Sequence, residues 1–239
     1  MTQFQTITCE HAGTHLEGCV ARPAGSGPFP TVMVMHSANG LRHQVRGTIQ
    51  KLAALGYLAI ATDMYGPDVQ NGPPEASHQA YAAIHAAAGT VRARALAWLE
   101  AVRAHDGVDP ARIAAIGYCF GGHCVLELAR AGADLQAVVS YHGTLQTHAR
   151  AEPGAVTCEV AAYCGALDPF APMHEIDELR QEMIDAGARY QITVFGEAAH
   201  SFTDPDAASM GMEGIRYDQM ADRMSWTGTL ALLEQTIGQ

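Results

Sequence analysis

The chain has 239 residues, 48% of them hydrophobic, and its 14 basic against 25 acidic residues give a formal charge of -11. That length and apolar content suit a single α/β domain spanning residues 1–239, while the acidic excess and the absence of a basic run exclude phosphate backbones and acidic membrane surfaces as partners. The opening residues, MTQFQTITCEHAG, show no positive leader, and no stretch reaches the roughly 18 uninterrupted apolar residues of a membrane span. A cytoplasmic protein is therefore expected. In that compartment the 6 cysteines read as reduced thiols rather than as a disulfide framework.

In chain order, an opening hairpin is expected ahead of the Gly-Pro loop at residues 24–30, followed by the apolar strand TVMVMHS. A helical pattern through Val45, Ile49, Leu52, Ala53 and Leu55 ends at Gly56, which can cap it. The alternation continues with YLAIATD, an Ala-rich helical region over about residues 75–105, RIAAIGY, a helix over about 121–131, and LQAVVSY. CEVAAYCG, the helix MHEIDELRQEMIDAGA, YQITVFG and a last helix through Met220, Met224, Leu230 and Leu233 complete the chain. Strands that are apolar throughout and separated by helices predict a mostly parallel sheet covered on both faces. Ligand sites in such sheets lie beyond the carboxyl ends of the strands.

At one such end the chain reads IAAIGYCFGGHC, and a thiol between two aromatics is a poor choice for a simple turn. Gly117, Tyr118, Cys119, Phe120 and Gly121 have the form of a nucleophile elbow with Cys as the nucleophile. The flanking glycines allow close backbone approach, and the helix N-terminus favours a thiolate and offers the Phe120 N–H to an oxyanion. Asp168 and His200 each follow a later apolar strand, so Cys119, Asp168 and His200 occur in the chain order of an α/β-hydrolase triad. Asp204 and Asp206 are rival acids, but they follow the His and read as turn or cap residues. The alternative for Cys119 is a buried structural thiol in a tight strand-helix turn.

The elbow GYCFGG, the segment GALDPFAP and the segment AAHSFTDPDA together resemble the dienelactone hydrolase family, and HSANG, DMYG and the closing Asp222, Arg223 and Trp226 extend that likeness along nearly the whole chain. The resemblance implies an α/β-hydrolase fold without a large lid, a catalytic Cys119-Asp168-His200 triad, and hydrolysis of ester or enol-lactone bonds. It also implies an oxyanion hole formed by the backbone N–H groups of Phe120 and Ala38, and no cofactor. Two departures stand out. Ser37 occupies the position where the family has a Glu that contacts the resting thiol, which predicts a thiolate-imidazolium pair here. Asp204 stands where one substrate-clamping Arg is expected, and no second Arg is recognisable in the sequence.

A small neutral or weakly polar ester or lactone is thus expected as substrate rather than an anionic one, with Ser37, Tyr65, Tyr118 and Phe202 as candidate pocket residues; Tyr65, Tyr118 and Phe202 equally suit packing around the elbow. His36 and His142 also fall at strand ends, where they suit either the site or structural packing. Met210, Met212, Met220 and Met224 read as gap fillers. No metal is expected, because the 12 histidines and the Cys119, His123, Cys124 group match no zinc spacing. A monomer or small homo-oligomer is expected. Two rival functions remain: a sensing protein that has lost turnover, and a thiol redox protein in which Cys124 resolves Cys119.

Overall fold

In a computed structural model that describes residues 4–238, each apolar run becomes a strand of one eight-stranded sheet. Strands β1 (Gln5–His11) and β2 (Thr14–Ala21) form an antiparallel hairpin whose turn residues, Ala12 and Gly13, both have positive φ, at 50° and 75°. Such a turn matches the natural twist of paired strands. The remaining strands are β3 (Phe29–Met35), β4 (Leu58–Thr62), β5 (Val108–Tyr118), β6 (Ala137–Tyr141), β7 (Glu159–Gly165) and β8 (Arg189–Phe195). Their order across the sheet is β1-β2-β4-β3-β5-β6-β7-β8; the hairpin joins antiparallel, and every pair from β4 to β8 is parallel. β3, β4 and β6 are buried at every residue, as strands covered on both faces must be.

The helices are α1 (His43–Ala54), α2 (Pro67–Gln70), α3 (Pro74–Ala86), α4 (Thr90–Arg103), α5 (Phe120–Arg130), α6 (Met173–Asp185) and α7 (Gln219–Ile237). α1 turns Val45, Ile49 and Leu52 onto the sheet, a spacing that keeps one face of a helix inward. α7 starts where Asp218 Oδ1 accepts the N–H groups of Met220 and Ala221 at 3.0 and 2.9 Å. One expectation is corrected: the Ala-rich region is two helices, because Gly89 adopts φ 79° just ahead of Thr90 and interrupts the α-helical path. No helix among the described residues is long and apolar enough to cross a membrane.

Two layers of core sandwich the sheet. Alternation along β5 sends Ile113 and Ala115 to one layer with Trp98, Phe120 and Val125, and Ala114, Ile116 and Tyr118 to the other with Ile49, Tyr141 and Leu233. Burying each large apolar side chain stabilises the fold by roughly 1.5–3 kcal/mol, which fixes the register of the strand ends that carry the candidate site.

Candidate active site

The turn from β5 into α5 is possible only with glycine at its edges. A Cβ on Gly117 would lie 2.0 Å from the Gly121 carbonyl oxygen, and one on Gly121 would lie 2.1 Å from that of Met35. Gly122 is pressed against β6 in the same way, with Ser140 Oγ 2.6 Å from where its Cβ would be. Between them Cys119 adopts φ 53° and ψ -112°, a positive-φ conformation that costs a non-glycine residue about 1–3 kcal/mol. Its N–H donates to the Tyr141 carbonyl at 2.9 Å, and its own carbonyl accepts the His123 N–H at 3.1 Å, which pins the bend from both sides. Cys119 is half-buried at the N-cap of α5, less open than an exposed elbow residue.

The loops after β7 and β8 bring Asp168 and His200 to this bend. His200 Nδ1 donates to Asp168 Oδ2 at 2.8 Å, while Asp168 Oδ1 accepts the Phe170 N–H at 2.8 Å, so the buried carboxylate is held by the loop it aligns. His200 is tied on its other side: its N–H donates to the Gly214 carbonyl at 2.9 Å, and its carbonyl accepts the Arg216 N–H at 3.0 Å. With Nδ1 committed to Asp168, Nε2 is left for the sulfur.

The electrostatics follow from that contact. Burial disfavours a Cys119 thiolate, but the charge and hydrogen bond of His200, with the N–H groups of Ala38 and Phe120, outweigh it and hold the thiol below its ordinary pKa. Burial likewise opposes His200 protonation, yet the Cys119 charge and the Asp168 hydrogen bond push its pKa up to about 10. Thiolate and imidazolium thus stabilise each other.

The opposite wall is built by the HSANG and DMYG segments, residues 36–40 and 63–66. His36 accepts the Met64 N–H at Nε2, 3.0 Å away, so Nδ1 carries the proton and donates to the Ser37 carbonyl at 2.6 Å. Burial holds this imidazole neutral despite Asp63 nearby. Asp63 accepts the N–H groups of Tyr65 and Gly66, each at 2.8 Å, and the Tyr65 hydroxyl donates to the Ala38 carbonyl at 3.2 Å. These contacts set the Ser37–Asn39 loop, whose N–H at Ala38 faces the sulfur.

A cavity of about 740 Å³ opens over Cys119 and His200, with Ser37, Ala38, Phe170 and Asp204 on its wall. Three expected pocket residues do not line it. Tyr118 alternates onto the far face of β5, where it stacks on Tyr141 and its hydroxyl lies 3.2 Å from Thr48 Oγ1. Phe202 is wholly buried between Phe195 and His142, and Tyr65 lies behind the Ser37–Asn39 loop, stacked on the buried Phe120 ring. Conversely, Arg42 and Tyr81 line the cavity without any local sequence signal, beside Asn39 of the HSANG segment. So do Met210 and Met212, whereas Met220 and Met224 are exposed, so none of the four is an interior gap filler. His142 lines it too, with Nε2 2.8 Å from Thr203 Oγ1 and its ring edge-on to His200.

Among the described residues, the one set of three metal-ligating side chains within mutual reach is His43, Asp204 and Asp206. His43 and Asp206 are exposed and already pair at 2.9 Å, as a surface ion pair does.

A profile of the dienelactone hydrolase family matches residues 16–237. A solved structure named m3DLH is 33% identical, with a TM-score of 0.91 over 98% of both chains. A dienelactone hydrolase-like promiscuous phosphotriesterase, P91, from metagenomic libraries is 34% identical, with a TM-score of 0.88 over 99% of both. A candidate carboxymethylenebutenolidase of Escherichia coli strain K12 is 27% identical over 80% of this chain and 74% of its own length.

Proposed function

The chain belongs to the dienelactone hydrolase family, whose members act on ester or lactone bonds, and from that premise we propose that it is a cysteine-dependent hydrolase of carboxylic esters or enol-lactones. The observation that carries this reading is the meeting of Cys119, at a bend only glycine-flanked chain can make, with a His200 already oriented by Asp168.

In the reaction, the Cys119 thiolate attacks the acyl carbon, and the resulting oxyanion takes hydrogen bonds from the Ala38 and Phe120 N–H groups. The intermediate collapses to a thioester as His200 Nε2–H protonates the departing alkoxide. His200, now neutral, accepts a proton from water, which attacks the thioester and returns the thiolate and a carboxylic acid product. Asp168 keeps the imidazole in the Nδ1–H tautomer throughout.

A substrate without a carboxylate suits the wall best, because Asp204 would repel an anion. The cavity volume of about 740 Å³ exceeds what a small lactone fills and leaves room for a larger ester. A chromogenic neutral ester tests the proposal. The wild type should show an acyl-enzyme burst followed by turnover, and Cys119→Ala should lower kcat/KM on the order of a thousandfold. Binding without a burst, or full activity in a folded Cys119→Ala protein, would overturn it.

A further inference from the structure

Asp204 is the carboxylate of the cavity wall and, like the guanidinium of Arg42 on the same wall, has no ion pair among the described residues. It is 9% exposed, lines the wall, and its Oδ1 accepts the Asp206 N–H at 3.0 Å, while Oδ2 accepts no hydrogen bond among the described residues. No cationic side chain among the described residues forms an ion pair with it. His43, whose ring lies beside it, pairs with Asp206 at 2.9 Å instead. Arg42, also on the wall, commits Nε to the Asn39 carbonyl at 2.9 Å and forms no ion pair among the described residues. A carboxylate with one oxygen open to a ligand cavity and no paired counterion leaves that counterion to the ligand.

Its placement says what kind of ligand. Asp204 N–H donates to the Ser201 carbonyl at 2.9 Å, a tight turn that keeps the two Cα atoms within about 7 Å and ties Asp204 to the loop that carries His200. A cation there shares the cavity with an acyl group at Cys119. Phe170, Met210 and Ile215 give the same cavity an apolar surface for an alkyl arm. The net charge of -11 draws cations toward the molecule as a whole.

We propose that Asp204 makes this cavity selective for esters bearing an alkylammonium group. The proposal rests on the hydrolase reading for its biological sense, and the test is made on binding so that the two can fail separately. Acetylcholine, its isostere with a tert-butyl group in place of trimethylammonium, and an analogue ending in a carboxylate are titrated calorimetrically into Cys119→Ala protein. The cation should bind at least about tenfold more tightly than the isostere, with the carboxylate weakest, and the gap should shrink as salt is raised. Asp204→Asn should bring the cation and the isostere within about twofold of each other, and Arg42→Gln should not narrow the gap. Equal binding of the cation and the isostere, no binding of the cation at millimolar concentration, or a gap that survives Asp204→Asn would each overturn the proposal. If Asp204→Asn does not fold, the ratio in the Asp204-containing protein and its salt dependence decide. A preserved gap with no ester turnover by the wild type would sink the hydrolase reading alone.

Discussion

Cys119 and Cys124 belong to the same turn and helix, five residues apart, and their surroundings drive them in opposite directions. Cys119, half-buried at the N-cap, faces His200 and two backbone N–H groups, and its pKa falls. Cys124, wholly buried in the interior of α5, has Glu127 and Cys119 as its charged neighbours, and burial raises its pKa well above that of an ordinary thiol. Residue type therefore settles nothing about reactivity in this helix. What distinguishes the thiols is donors aimed at one sulfur and hydrocarbon packed around the other.

Alkylation breaks or sharpens this contrast most directly. Because the Cys119 pKa is lowered, iodoacetamide at mildly acidic pH should modify it, and its rate should stay high down to pH values where a normal thiol has stopped reacting. Cys124 should react on the order of a hundredfold more slowly in native protein, read by peptide mass. Asp168→Asn removes a group that raises the His200 pKa. The imidazolium then becomes less favourable, the thiol pKa rises, and the alkylation curve should move to higher pH, with kcat/KM down on the order of a hundredfold or more. An unmoved curve would show that Asp168 does not act through His200.

The buried thiol provides the next test. Cys124→Ser places a hydroxyl in a fully buried position and should destabilise the fold by about 1–3 kcal/mol, seen as a lower Tm or urea midpoint. Activity and the Cys119 alkylation profile should stay within about twofold of wild type, since Cys124 touches no reacting group. A thiol redox protein would behave otherwise: peroxide would join Cys119 to Cys124, and the Ser variant would lose function. The raised pKa of Cys124 already makes it a poor resolving thiol.

Local chemistry explains which parts of the site could be read in the sequence. Each of Cys119, Asp168 and His200 follows an apolar run that can only be a strand, and the glycines around Cys119 have no other use, so the order along the chain carried the site. Of the two roles open to Tyr118, pocket lining or packing, alternation decides for packing: Ala114, Ile116 and Tyr118 share one face, and that face meets α1 and α7 rather than the cavity. Phe202 and Tyr65 had no such signal. Their positions depend on how the loops after β8 and β4 fold back, as does that of Asp204, while Arg42 lies in the loop after β3, and loop paths follow no period. The break at Gly89 was missed because its Ala-rich surroundings favour helix on both sides.

The smallest expected effect concerns the N–H that Cys119 has and Cys124 lacks. Ala38 presents it because its loop is held from beneath at two points, the His36 ring bonded to the Ser37 carbonyl and the Tyr65 hydroxyl bonded to the Ala38 carbonyl. The second bond is long, at 3.2 Å, and Tyr65 keeps its backbone contact with Asp63 and its stacking on Phe120 when the hydroxyl is removed. Tyr65→Phe should therefore cost about 0.5–1 kcal/mol in the transition state, a fall in kcat of about two- to fivefold with KM little changed. The Cys119 alkylation curve should move slightly toward higher pH, because a looser Ala38 N–H stabilises the thiolate less. A normal kcat with an unshifted curve would assign the loop to His36 and Asp63 alone. A fall in kcat without the shift would mean that Ala38 serves the oxyanion but not the resting sulfur.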